Sequence, residues 1–283
     1  MRGLSIIHAA AMTGVGRSLE ETRASLETGV CRYRRSPFVG LRGARHLIAP
    51  VLHPSLRVPG VERGLLLATP SLERCLATLR EAKVALFLSQ DDPPGKVPPQ
   101  LEPVAERARA SLREWEGLDA RIAEWLVARQ IRVTHVETIG SGVSSGVELF
   151  ERASRILEQG SVDRALVGAV SSACEPAIVE WNEWRALLEN PHESVQTVGG
   201  EGAAFLVLSS SGGTARVRGW GGAKETVSNN SAPTRADALT RVVEQVLSAG
   251  ESTGGITDIF VDLPDSARLA REWSLASTRT IGA

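Results

Sequence analysis

Cysteine is scarce in this chain. Its 283 residues include three, Cys31, Cys75 and Cys174. The number is odd and no pair has CxxC spacing, so neither a disulfide framework nor a zinc site is indicated. Net charge is also lacking: 32 basic residues face 33 acidic ones. That balance gives no global pull toward nucleic acid or an anionic membrane, and neither is expected as a partner. No apolar run approaches the ~20 residues that span a bilayer. Met1–Gly16 does not make a signal peptide, because its short apolar run is broken by His8 and ends in a Gly14/Gly16 turn. A cytoplasmic protein is the expectation. There is no GxGxxG after a strand, no P-loop and no metal-ligand cluster, so no cofactor is expected.

What is present is a globular composition, 42% hydrophobic and 23% charged, in a chain long enough for a sizeable core. Arg32, Arg34, Arg35, Arg42 and Arg45 form a local basic cluster. It reads as a solvated loop, with a site for phosphate or an acidic partner as the alternative.

Taken in order, Leu4–Ala11 reads as a strand and Ser18–Gly29 as a helix, with Ser18 as N-cap and Glu21 at the capping-box position. Val30–Gly60 is a long segment rich in Arg, Pro and Gly, read as irregular. Val61–Glu81 has helical periodicity interrupted by Pro70, and Val84–Leu88 is a strand. Gln90–Pro103 holds five prolines and reads as a loop. Glu106–Gln130 reads as one helix with Trp115, Leu118, Ile122, Trp125 and Leu126 as its core stripe.

The stretch Val136–Val170 organises the rest. The strand Val133–Ile139 leads into the tight turn Gly140–Gly146, a helix that stops at Gly160, and a buried strand Ala165–Val170. This is a βαβ unit whose first corner is an elbow of the kind that holds a nucleophile beside backbone N–H donors. Further on, Pro176–Leu188 reads as a helix and Thr197–Gly202 as a glycine-dense turn. Ala203–Leu208 and Ala215–Trp220 read as an antiparallel pair. Thr234–Leu247 reads as a helix capped by Thr234, Asp258–Leu263 as a strand and Ser266–Leu275 as a helix. Alternating strands and helices make the class α/β with a mixed sheet.

The motifs resemble the β-ketoacyl synthases of the thiolase-like fold. The elbow Ser141-Gly142-Val143-Ser144-Ser145 falls in register with that family's Thr-Ala-Cys-Ser-Ser type. Ala153, Gly160, Asp163 and Ala165-Leu166-Val167-Gly168-Ala169 follow, and Gly200-Glu201-Gly202-Ala203 resembles the family's Gly-Glu-Gly-Ala. Thr13-Gly14-Val15-Gly16 is similar to its first βα turn. The resemblance implies a layered α/β/α thiolase-like architecture, with residues 1–214 as a ketosynthase-like half and 215–283 as a truncated second half.

The departures bear on function. In register, the family's nucleophilic cysteine becomes Val143, which cannot form a thioester. Pro264 stands near the position of the first of the family's histidines, and the second would lie beyond Ala283. The five histidines here, His8, His46, His53, His135 and His192, match no family motif. The resemblance therefore implies a non-catalytic ketosynthase-like protein in fatty acid or polyketide biosynthesis. It would pair edge to edge as a homodimer, or as a heterodimer with an active ketosynthase in the manner of a chain-length factor, with an acyl carrier protein as a further partner. Ser141, Gly142, Val143, Ser144, Ser145, Gly200, Glu201 and Gly202 are the residues it would set against substrate, Glu201 fixing loop geometry. The alternative is an acyltransferase or condensing enzyme of reduced chemistry on acyl thioesters, using Ser144, Ser145 or Cys174. A third reading is a decayed fragment.

Overall fold

The computed structural model describes residues 3–39, 43, 45–51, 58–140, 145–189, 198–224, 234–249, 256, 258–261 and 267–282. The chain falls into two compact units: Ser5–Ala215, and Met1–Leu4 together with Arg216–Ala283.

The larger unit is a mixed sheet with helices on both faces. Its strands are β1 (Leu4–Thr13), β2 (Arg34–Val39), β3 (Arg45–Ala49), β4 (Lys83–Ser89), β5 (Arg132–Ile139), β6 (Arg164–Ser172) and β7 (Gly199–Ser209). Their order is β2-β3-β7-β6-β4-β5, with β1 also on β7. Strands β5, β4 and β6 run parallel, and β7 runs antiparallel to both β6 and β1. The helices are α1 (Leu19–Glu27), α2 (Gly60–Leu79), α3 (Glu102–Arg113), α4 (Leu118–Val127), α5 (Ser145–Glu158) and α6 (Pro176–Glu189).

Side-chain alternation along the buried strands divides the core. Val84, Leu86 and Leu88 of β4 pack with Leu67, Leu72 and Leu79 of α2 and with Leu118, Ile122 and Leu126 of α4. The alternate residues Ala85 and Phe87 are equally buried, and α5, which lies against β4 and β6, buries Leu149, Ala153 and Leu157. Helix α1 starts as the sequence indicates: the Glu21 N–H donates to Ser18 Oγ at 3.2 Å, and Glu21 Oε2 accepts from the Arg17 N–H at 2.8 Å.

Several local expectations are corrected. Pro70 does not interrupt α2, which runs through it for 20 residues. The stripe Leu67, Ala68, Ser71, Leu72 stays buried across the proline, and burial outweighs a cost of about 3 kcal/mol for an interior proline. The Glu106–Gln130 helix is two, α3 and α4, because Gly117 adopts φ 86 between them. Within the stretch read as irregular lie β2 and β3, an antiparallel pair. The glycine-dense stretch at 199–202 is not a turn but the start of β7. Both its edges are filled: Gly199 and Gly200 pair with Ile48 and Ala49, and Gly202 pairs with Thr13 and Ser171. With β7 so flanked, the pairing expected between Ala203–Leu208 and Ala215–Trp220 is not formed among the described residues.

The smaller unit contains α7 (Asp237–Ala249) and α8 (Ala267–Thr280), and β8 (Ala215–Val217) borders it. Thr234 is not the N-cap of α7. It accepts from the Ala236 N–H at 3.2 Å and donates to Glu272 of α8 at 2.8 Å, fastening the two helices. Asp258–Val261, expected as strand, carries no strand, and Phe260 is 95% exposed. Pro264 lies outside the described residues.

Candidate functional site

The elbow joins β5 to α5. Ser141, Gly142, Val143 and Ser144 lie outside the described residues, so the site is built from what flanks them. Ser145 opens α5 and is buried, with Ser89 Oγ at the end of β4 within hydrogen-bond distance of its own Oγ. Asp91 and Asp92 follow β4. Asp91 accepts from Ser171 Oγ at 2.6 Å, and Asp92 lies next to Gly140. Burial, with the carboxylates of Asp91 and Glu148 nearby, pushes the Asp92 carboxyl above its ordinary range. Carboxylates at this end of the sheet disfavour a developing oxyanion.

Residues Gly200, Glu201 and Gly202 come together with Met12, Thr13, Ala169, Ser171, Ala203 and Ala204 around an open pocket of about 330 Å³. The Glu201 carboxylate is committed to structure. It is buried, forms an ion pair with Arg63 of α2, accepts from Ser172 Oγ at 3.0 Å and takes the Val51 N–H at 2.9 Å. A carboxylate with this many donors holds α2, β6, β7 and the end of β3 in register. Arg63 belongs to none of the motifs. Its position on the buried stripe of α2, between Gly60 and Leu67, is a readable signal, because a charge at a core position requires a buried partner.

Cys174 follows β6 and is fully buried, its Sγ donating to the Gly199 carbonyl at 3.3 Å. Burial, and secondarily Glu201, push its thiol up to about 12, so the thiolate that nucleophilic catalysis requires is absent near neutral pH. Cys75 behaves alike, also at about 12 through burial. His135 is on β5, its Nε2 3.3 Å from Glu137 of the same strand and its ring 5.3 Å from that of Phe87. His46 pairs with Glu183 at 2.9 Å, while His53 and His192 lie outside the described residues. Of the basic cluster, Arg34, Arg35 and Arg45 fall on β2 and β3, and no ion pair of theirs or of Arg32 is formed among the described residues. Arg42 lies outside them. Among the described residues no group of His, Cys, Asp and Glu could hold a metal ion, and no helix is long and apolar enough to cross a membrane.

No family model matches the chain, and no curated protein does. Solved structures match in fold. A ketosynthase in complex with its chain length factor from Xenorhabdus doucetiae matches with a TM-score of 0.67 at 16% identity, over 99% of this chain and 76% of that one. A type II polyketide ketosynthase in complex with its acyl-carrier protein matches with 0.73 at 16%, over 99% and 78%. A β-ketoacyl synthase from Burkholderia phymatum matches with 0.63 at 18%, over 100% and 79%. At such identities the likeness speaks to the fold: this chain has the thiolase-like α/β/α fold of the ketosynthases and chain length factors.

Proposed function

We propose that this chain is a non-catalytic ketosynthase-like subunit of fatty acid or polyketide biosynthesis, which pairs with an active ketosynthase and helps shape its acyl chamber. The observation that carries the proposal is a missing thiol. The reactive position of the elbow is Val143, and the other thiol among the alternatives, Cys174, is buried with its proton held up to about 12. Decarboxylative condensation requires an acyl-carrying nucleophile, and without one the chain contributes shape. Val143 would present an apolar side chain where an acyl group is otherwise attached. Residues 1–214 would form the ketosynthase-like half with the pocket at Gly200–Gly202 lying against substrate, and 215–283 would belong to the second half.

The pairing surface is β5, which among the described residues lies at the end of the strand order and is bonded to β4 alone. Its unpaired edge can continue the sheet into a partner. Acyl carrier protein would meet the assembled pair, by analogy with the ketosynthase solved in complex with its carrier.

The test is incubation of the purified chain with acyl-carrier thioesters, alone and with a candidate ketosynthase. The expected result is no acyl adduct and no condensation from the chain alone, and stable co-purification with the synthase that changes its product length. A stoichiometric acyl adduct on Ser144, Ser145 or Cys174, lost when that residue is replaced, would overturn the proposal in favour of a reduced acyltransferase.

A further inference from the structure

The pocket at Gly200–Gly202 has a hydrogen-bonding sense that its residue types alone do not reveal. Its volume is about 330 Å³, and most of its lining is glycine, alanine and methionine. The lining side chains with polar oxygen atoms are those of Thr13, Ser171 and Glu201. What each can offer a ligand depends on where its proton already goes.

Ser171 donates its hydroxyl proton to Asp91 at 2.6 Å. The Thr13 and Thr22 hydroxyls lie 3.0 Å apart, and by distance either could donate. Thr22 decides the matter, because its own proton goes to the Ser18 carbonyl at 2.7 Å. A hydroxyl carries a single proton, so Thr13 donates to Thr22. The Thr13 oxygen also accepts from the Val15 N–H at 3.3 Å, and the Thr13 N–H donates to the Gly16 carbonyl at 2.8 Å. Glu201 accepts only, and its carboxylate is closed by Arg63, Ser172 and the Val51 N–H. The N–H groups of the sheet lie in its plane and point along the ladder toward neighbouring strands. Among the described residues, the pocket therefore carries hydroxyl lone pairs at Thr13 and Ser171 and no uncommitted side-chain proton. Asp91, on the far side of the Ser171 hydroxyl, adds negative charge.

A site made of acceptors gains a bond from a ligand that donates. It loses hydration without return to a ligand group that only accepts. A hydroxyl can donate and a ketone cannot. A carboxylate cannot either, and Asp91 repels it. We infer that the pocket selects an uncharged acyl chain bearing a hydroxyl group over one bearing a ketone or a carboxylate. Asp91 and Thr22 are the positioning residues that set this preference. Neither lines the pocket; each acts by holding the proton of a neighbour that does. The inference rests on the proposed reading that this pocket lies against substrate, and goes beyond it by naming the functional group that the substrate carries.

The experiment measures binding of hydrolysis-resistant pantetheine amides to the full chain by calorimetry. The set is a β-hydroxyacyl, a saturated acyl and a β-ketoacyl amide of equal chain length, with malonyl pantetheine amide as the carboxylate. The β-hydroxyacyl amide is expected to bind about tenfold more tightly than the β-ketoacyl amide, and the malonyl amide more weakly than either. Asp91→Ala frees the Ser171 proton and Thr22→Val frees that of Thr13. Each should narrow the hydroxyl-to-ketone ratio, and the two together should abolish it. A merely structural role would weaken all four ligands alike and leave the ratio unchanged. Thermal melts report whether each variant is folded, and Asp91→Ala, on an exposed residue, keeps the test open if Thr22→Val is not. Equal binding of hydroxyl and ketone, tighter binding of the malonyl amide, a ratio that Asp91→Ala does not move, or no binding of any amide overturns the inference. Loss of the preference in a chain that still co-purifies with a ketosynthase and takes no acyl group leaves the proposed function standing. A preference that holds in a chain that thioesters acylate at Ser144, Ser145 or Cys174 overturns that function and keeps the inference.

Discussion

Each of the two polar groups that matter most in the larger unit is fixed by its surroundings. Arg63 and Glu201 are buried and paired. Removing one partner strands the other charge, so Glu201→Gln or Arg63→Met should each cost about 3–5 kcal/mol in denaturant unfolding, and the double replacement less than the sum. The thiols give a second measurement. Cys31 is exposed, while Cys75 and Cys174 are buried with raised thiols. At pH 8 the native chain should therefore titrate one thiol, and three after denaturation. Both buried thiols keep their protons to about 12 when folded but ionise near 9 when unfolded. Their contribution to stability is whole below pH 9 and is lost as pH climbs toward 12. At this scale the sequence was half legible. The Glu201 motif and its structural part follow from the family resemblance, and the α2 stripe marks Arg63 as buried, but that the two pair across 138 residues is not legible, because no local pattern records which buried acid answers which buried base.

The elements were more legible than their boundaries. The βαβ unit β5–α5–β6 is where periodicity placed it, since burial on one face of α5 and on both faces of β6 leaves a clear trace. Gly168 shows why its motif has the residues it does. A Cβ there would lie 2.2 Å from the Phe205 ring on β7, so Gly168→Ala should destabilise by about 1–3 kcal/mol. The two glycines around Glu201 should differ in the same assay. A Cβ on Gly202 would meet the Met12 carbonyl at 2.7 Å, whereas on Gly200 it meets nothing within 4 Å. Gly202→Ala should be destabilising and Gly200→Ala close to neutral in a thermal melt. The failures were places where tertiary pairing overrode local preference. Residues 199–202 are extended because neighbours on both sides bond them, α2 continues through Pro70 because its stripe is buried, and the turn at Gly117 is hidden inside an unbroken run of helical spacing.

For the whole molecule, the fold survives where the sequence likeness is faint, and the chemistry does not follow automatically. On the proposed reading, Val143→Cys places a thiol at the elbow, yet condensation of acyl-carrier thioesters by the chain alone should stay at background, because a thiol by itself brings no acid–base partner with it. The outcome would be read by intact mass and by product analysis side by side. The Arg63–Glu201 pair carries one more implication, for the order of events during synthesis. Arg63 leaves the ribosome well before Glu201, and until β7 arrives its guanidinium has no carboxylate to meet. A nascent chain cannot close α2 onto the sheet without stranding a charge, so the α2 face should stay wet and open to chaperones until the strand bearing Glu201 has been made.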